Sequence, residues 1–346
     1  MGVRYSVASG SSLYVVVADC VRVYEAVFTS SVIDETTGRP VVYTPVLNAD
    51  MRGMTLRVTE DALIGGAAVL SDVFPENATK AYSFTLTISA TGYRTVTVPV
   101  AIAVGSVFPI AVPAIVMRRV PIRLQGWVVK ANDRSAIATA TIASNSATRL
   151  LLRDPFRFAH ADGTLVDGIS LSVSGVPAIL ARAASAGDSA LSLNTNAGLV
   201  PGSLVQVGAV DGAIYSVASV GPGPALVTLS EPVAMSAAKG AVVEALTASA
   251  PVSSSTLARS ADAGDGIAML TTALTGAALR VVDGRRTEHH WLNVLSGPDG
   301  YFRADGITGV QRLDLTCSAP TFTTLDQPWT PNYSQPAATV DFLLRP

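Results

Sequence analysis

The chain has 346 residues, of which 49% are hydrophobic and only 14% charged, and its formal net charge is −2. A chain of that length holds roughly two or three domains and buries a core without disulfides or metals. With no basic run to supply a clustered positive field, nucleic acid is excluded as a main partner.

Cys20 and Cys317 stand near opposite ends, with neither disulfide-framework nor metal-ligand spacing. Only Lys80, Lys130 and Lys239 are lysines among 24 basic residues. Arginine in place of lysine is the bias of interface cores, so the composition fits a surface covered by neighbours; a GC-rich genome gives the same bias.

The opening MGVRYSVASGSS is polar, and the apolar run after it, Leu13–Ala18, is shorter than the apolar core of a signal peptide, about 7–15 residues. Synthesis in the cytoplasm without a signal peptide is the expectation. Residues 1–22 read as an N-terminal arm or first strand. Leu13, Tyr14, Val15, Val16 and Val17 would add to a sheet, in this chain or in a neighbour.

Residues 23–119 read as a β-sandwich. Strand candidates are Val23–Phe28, Val41-Val42-Tyr43, Thr55–Val58, Tyr82–Ile88 and Thr95–Ile102, separated by the turns Asp34–Pro40 and Ala90–Tyr93. Twenty-three uncharged residues lie between Arg94 and Arg118, long enough to span a bilayer. Pro99, Pro109 and Pro113 would strand backbone groups in lipid, and the valines keep a strand period, so no membrane span is expected. The residues Asp34, Thr37, Gly38 and Pro40 between two strands, followed by Ala90, Gly92 and Tyr93 before a β-branched strand, resemble the carboxypeptidase regulatory-like, transthyretin-like sandwich. The resemblance implies an accessory, non-catalytic module.

From residue 120 a second such unit begins, with Pro121–Val129 alternating and Ala136–Ile142 a further strand. The chain then says one phrase twice: LARAASAGD at 180–188 and LARSADAGD at 257–265, seven of nine positions identical. A fixed offset of this kind marks a duplicated unit; we read the copies as paired segments of one β-rich domain. Residues 176–248 interrupt the second unit. There Ala186-Gly187-Asp188, Pro201-Gly202, Gly208, Thr228-Leu229, Pro232 and Gly240-Ala241-Val243 resemble, in their order, a small β-module of phage tail and baseplate proteins. Pro298–Phe302 with Gly306 resumes the regulatory-like pattern, and Ala338–Leu344 closes it.

Catalytic patterns are sparse. Glu288-His289-His290-Trp291 is the only histidine cluster, and adjacent residues of a strand point to opposite faces, so two histidines there do not share one metal. We read His289, His290 and Trp291 as a strand edge that contacts a partner. Recurrent Asp-Gly pairs, among them 162–163, 167–168, 211–212, 283–284, 299–300 and 305–306, read as tight turns, and calcium-loop spacing is absent. There is no G-x-S-x-G, and no carboxylate pair stands in a distinctive motif. No cofactor, metal or catalytic residue is assigned.

The fold expected is therefore all-β. It comprises an arm (1–22), a sandwich (23–119), and a second Ig- or transthyretin-like sandwich (120–175 plus 249–346) interrupted by an inserted β-module (176–248). The function expected is a non-enzymatic structural component of a phage tail, baseplate or phage-like contractile injection particle. It would be a symmetric homo-oligomer touching the particle's other proteins and would reside in the virion or particle. The alternative is a carbohydrate- or cell-surface-binding module, with Trp127, Trp291, Trp329, Tyr301 and Tyr333 as a platform. A third reading is an accessory domain parted from a catalytic partner.

Overall fold

The computed structural model describes residues 121–346 except 197, 209–211, 222–224 and 285. In the first 120 residues it describes 4–7, 13–16, 25–41, 46–51, 54–57, 63–64, 67–72, 81–107, 110–111 and 113–120. Every regular element among them is a strand, and the chain divides into two units, Met1–Val120 and Pro121–Pro346.

The first unit contains β1 (Arg4–Val7), β2 (Leu13–Val16), β3 (Glu25–Asp34), β4 (Val46–Met51), β5 (Met54–Arg57), β6 (Leu63–Ile64), β7 (Ala67–Asp72), β8 (Tyr82–Ser89), β9 (Val96–Ile102), β10 (Ile110–Ala111) and β11 (Ile115–Met117). Strands β1 and β2 form an antiparallel two-stranded sheet of their own. Two larger sheets follow. One runs β10-β3-β7-β6 with β11 also parallel to β3; the other runs β5-β4-β8-β9. Strand β8 shows the cause: Phe84, Leu86 and Ile88 are buried while Ser83 and Thr85 are exposed, the period-two pattern of a sheet with one wet face. The stretch weighed as a membrane span is cut into β9, β10 and β11, and among the described residues no helix is long and apolar enough to cross a membrane.

The turn motif is held by its aspartate. Asp34 is fully buried. Its Oδ1 accepts the N–H groups of Thr36 (2.7 Å) and Thr37 (3.3 Å), and its Oδ2 accepts the Tyr93 hydroxyl (2.7 Å) and Arg119 Nε (2.7 Å). Burial pushes this carboxyl's pKa up, but the hydrogen bonds from Tyr93 and Thr36 and the Arg119 charge outweigh it and hold it below the ordinary value. The two turns, almost sixty positions apart, are thereby tied to one carboxylate.

The second unit contains β12 (Ile122–Lys130), β13 (Thr141–Ser144), β14 (Arg149–Leu151), β15 (Leu165–Ile169), β16 (Leu171–Ile179), β17 (Ala190–Ser192), β18 (Leu204–Val207), β19 (Ala213–Val220), β20 (Leu226–Leu229) and β21 (Val242–Ala248). It continues with β22 (Ser253–Thr256), β23 (Ile267–Met269), β24 (Ala278–Asp283), β25 (Arg286–Trp291), β26 (Val294–Leu295), β27 (Tyr301–Ile307), β28 (Leu313–Ser318), β29 (Leu325–Trp329), β30 (Ala337–Thr339) and β31 (Phe342–Leu344). Its outermost strands make a sandwich. In one sheet β27 and the successive β30 and β31 flank β12; the other runs β26-β13-β28-β29. Leu124, Val128, Ile142, Phe302, Leu315 and Phe342 fill the space between them.

Between β13 and β26 the chain builds two barrels, one inside the other in sequence. Barrel A is the sheet β16-β21-β18-β19-β20-β17, closed by the bridge of Leu180 to Leu193. Barrel B joins β22-β15-β24-β25 to the pair β14-β23 through the bridges Leu152 to Leu292 and Leu257 to Leu270. The two have the same fold in a different chain order. In barrel A, Leu180 N–H donates to Ala241 O, Gly187 N–H to Val233 O and Leu193 N–H to Ala225 O. Shifted by the 77 positions of the repeated phrase, these bonds recur in barrel B as Leu257 to Thr164, Gly264 to Phe156 and Leu270 to Thr148. The acceptors shift backwards because the two repeats, β14–β19 and β20–β25, trade their first two strands. Barrel A takes β20 and β21 from the second repeat; barrel B takes β14 and β15 from the first. The repeated phrase does the same work in each copy: the aspartate caps the N–H three residues earlier (Asp188 to Ser185, Asp265 to Asp262) beside a glycine of positive φ.

Two Asp-Gly pairs depart from the turn reading, since Gly168 and Gly306 sit inside β15 and β27. A Cβ on Gly168 would stand 1.9 Å from Thr275 O, and one on Gly306 2.3 Å from Gly264 O. These glycines let another segment of backbone cross in contact with the strand. Gly306 receives the second copy of the phrase, through Gly266 N–H to Gly306 O at 2.7 Å.

Candidate functional site

The barrels meet along β19 and β25, and there lies most of the buried charge among the described residues. Glu288 and His290 are two apart on β25 and share a face; His289 points the other way, as the strand period requires. Glu288 is fully buried and accepts four hydrogen bonds. Its Oε1 takes Phe158 N–H (3.0 Å) and His160 Nε2 (2.8 Å); its Oε2 takes Arg157 N–H (2.8 Å) and His290 Nε2 (3.0 Å). His290 Nδ1 faces Asp154 Oδ2 at 3.1 Å, and His160 Nδ1 faces Asp283 Oδ2 at 3.1 Å. The Phe156 ring stands edge-on to both imidazoles.

Arg157 carries the network across to barrel A. Its Nη2 donates to Asp154 (2.6 Å), its Nη1 to Glu231 (3.2 Å), and its guanidinium lies 4.5 Å over the Tyr215 ring. Glu231 also accepts Ser216 N–H, and Tyr215 Oη accepts Ala234 N–H. Glu231 stands 77 positions after Asp154, so the same place in the two repeats supplies a carboxylate from each barrel. An apolar cluster of Ile169, Leu204, Ile214, Leu246 and Ala278, with Trp291 against it, completes the contact. It explains why β18, LVQV, shows no alternation: Val205 and Val207 fill barrel A while Leu204 faces barrel B.

Burial penalises every charge here, and pairing outweighs it for some groups and not for others. For Glu288 the hydrogen bonds from both histidines override burial and hold the carboxyl far below its usual range. Asp154 is likewise lowered, burial being outweighed by His290 and Arg157. His290 is raised to about 9 against burial, by Asp154 and Glu288. His160 is raised against burial by Glu288 and Asp283. His289, buried beside His290 and Arg280, falls to about 4 and is neutral. Glu231 is raised, because burial exceeds the help it draws from Arg157.

The residues expected at a partner contact fall in two places. Leu13, Tyr14, Val15 and Val16 lie in β2, paired with β1; Val17 lies outside the described residues. His289 and His290 form no exposed edge. Both are buried between the barrels of a single chain, because β25 is the face on which barrel B meets barrel A, and Trp291 is half-buried beside them. Asp154, Arg157, His160 and Glu231 belong to the same cluster and carry no local motif. The one signal for them is the 77-residue offset that pairs Asp154 with Glu231. The side chains that pair in this cluster are 0–4% exposed apart from Asp283, so the network gives a substrate no approach. Among the described residues no group of three or more His, Cys, Asp or Glu side chains is placed to hold a metal ion.

No family profile and no curated protein matches the chain. Among solved structures it is similar to the shaft pilin SpaA of Lactobacillus rhamnosus GG, with 9% identity, a TM-score of 0.21, and 93% of this chain and 97% of that one covered. It is similar also to BcpA, the major pilin subunit of Bacillus cereus, with 8% identity, a TM-score of 0.24, and 92% and 99% covered. A third is the Bacillus anthracis TIE protein, with 8% identity, a TM-score of 0.24, and 93% of this chain and 51% of that one covered. Likeness at this level carries no argument about the role of the chain.

Proposed function

We propose that the chain is a non-enzymatic structural subunit of a phage tail, baseplate or phage-like contractile injection particle, working through contacts with its neighbours. The observation that carries this reading is the use to which the chain puts its charge. Glu288, His290, His160, Asp154, Arg157 and Glu231 pair with one another, closed to solvent, and fasten one barrel to another. Catalytic groups must reach a substrate; these stiffen a joint. Val173, Val176, Val200 and Val252 stand more than half exposed on barrel A and its exit, apolar surface of the kind that subunits cover. The resemblance of residues 186–243, in their order, to a small β-module of phage tail and baseplate proteins is what supports a particle of this kind.

Sedimentation of a native lysate with mass spectrometry of each fraction tests it. The chain is expected in megadalton fractions with sheath or tube proteins. Recovery only as a monomer or small oligomer would overturn the reading. Deleting residues 1–22 is expected to weaken assembly more than it lowers the melting temperature.

One observation favours glycan binding as a second reading. Trp127 is 44% exposed on the outer face of β12, with the Tyr301 ring 5.4 Å away on β27 and the Tyr301 hydroxyl on Gln125. A glycan-array signal lost in Trp127→Ala would support it; an empty array would remove it.

A further inference from the structure

The contact between the barrels sets two imidazoles among carboxylates. His160 sets one ring nitrogen against Glu288 and the other against Asp283; His290 sets one against Glu288 and the other against Asp154. A neutral imidazole carries one N–H, so each ring fills both contacts only as the imidazolium. With both rings charged, the barrel B side of the cluster holds Arg157, His160 and His290 against Asp154, Glu288 and the half-exposed Asp283, three charges of each sign, with Arg157 turned to Glu231 of barrel A. Without the two protons the same side carries a surplus of two negative charges, which repels Glu231.

The other groups facing the cluster do not restore the balance. Arg280 is held by Asp167, and His289 is neutral. Arg153 lies over Trp291 and Arg286 over Phe158. Tyr215 stays protonated, raised mainly by burial. The apolar part of the contact is Ile169, Leu204, Ile214, Leu246 and Ala278 with Leu171, Ala248 and Trp291 against them, and the charged cluster lies beside it.

We propose that this cluster is a proton-operated latch: when His160 and His290 lose their protons, barrel A swings away from barrel B while both barrels stay folded. Each barrel closes on its own strand pairing, so opening breaks no ladder within either. The tethers are the crossovers at Ser170 and at 249–252, joined by Ser249 N–H to Ser170 O at 2.9 Å. A carboxylate at each ring nitrogen favours the charged form of both imidazoles, and His290 is raised to about 9, so the latch opens in alkali.

The test uses the full chain with Trp127→Phe and Trp329→Phe, leaving Trp291 at the contact as the sole tryptophan. Its emission maximum is followed with pH beside far-UV circular dichroism. The expected result is a reversible red shift with a midpoint near the His290 value of about 9 and an unchanged dichroism spectrum. Glu231→Gln, which keeps an acceptor for Ser216 and removes the repulsion, is expected to raise the midpoint by about one unit or more. His290→Asn is expected to flatten the transition. The proposal is overturned if the maximum stays fixed to about pH 10.5, if it moves only as the dichroism is lost, or if Glu231→Gln titrates like the parent.

Discussion

Arg157→Met is the sharpest probe of the barrel joint. Methionine fills much of the arginine stem but removes two charge-assisted hydrogen bonds, to Asp154 at 2.6 Å and Glu231 at 3.2 Å, and the stacking on Tyr215. Both carboxylates remain buried, at 1% and 2% exposure, Glu231 losing its cation and Asp154 keeping only His290. Breaking a buried pair from one side costs about 3–5 kcal/mol, because the abandoned charge keeps its desolvation penalty. For a unit of this size about 1 kcal/mol moves the melting temperature by roughly 2–4 °C, so the unfolding step of residues 121–346 should fall by roughly 10 °C. Differential scanning calorimetry of the full chain reads it, with the step of residues 1–120 as the internal reference. Adding Glu231→Gln should return part of the loss, on the order of 1–2 kcal/mol, since one of the two stranded charges is then gone. A shift of less than about 3 °C would refute the reasoning, as would a double variant no more stable than the single one.

Stability of the second unit should decline with rising pH. His290 has a folded value of about 9, above its unfolded value, so its contribution is whole below the unfolded value and lost as pH rises through about 9; urea titrations between neutral pH and pH 10 measure the slope. Asp34→Asn should destabilise the first unit by about 2–4 kcal/mol through the loss of the Arg119 partner. It should also reduce that unit's acid dependence: the depressed Asp34 value gives stability present above the unfolded pKa and lost as pH falls through the folded one, seen in acid-unfolding midpoints. Gly306→Ala sets a Cβ 2.3 Å from Gly264 O at a φ of +79° and should cost several kcal/mol, about 3 or more, by chemical denaturation. Cys317 is fully buried and its thiol is pushed up to about 12 by burial, so in a Cys20→Ser chain a thiol reagent should react only after unfolding.

Much of the architecture was legible in the residues themselves, for local reasons. Alternation of Phe84, Leu86 and Ile88 with hydroxyl residues marks a half-buried strand, because side chains on a pleated backbone alternate in direction. Asp34 through Pro40 marks a turn, and Asp34 caps it. The repeated phrase announces a duplicated unit, and Gly187 and Gly264 adopt the same positive φ in its two copies. The opposed faces of His289 and His290 follow from the strand period alone, although what each would meet does not.

The exchange of strands between repeats was decided by the tertiary structure. Two copies of one pattern offer the same hydrogen-bonding groups to either partner, so local sequence is silent on whether β15 pairs with β22 or with the strand that follows it. Chain connection and packing choose β22, and this gives two closed barrels with a common face. The charged cluster depends on that choice. Asp154 and Arg157 belong to the first repeat, Glu288 and His290 to the second, and only the exchange puts all four in one barrel, against Glu231 of the other. Composition and period settled that the chain would be strands around apolar cores, since burial of alternate side chains is local. Which carboxylate would meet which cation, across more than a hundred positions, was settled by packing alone.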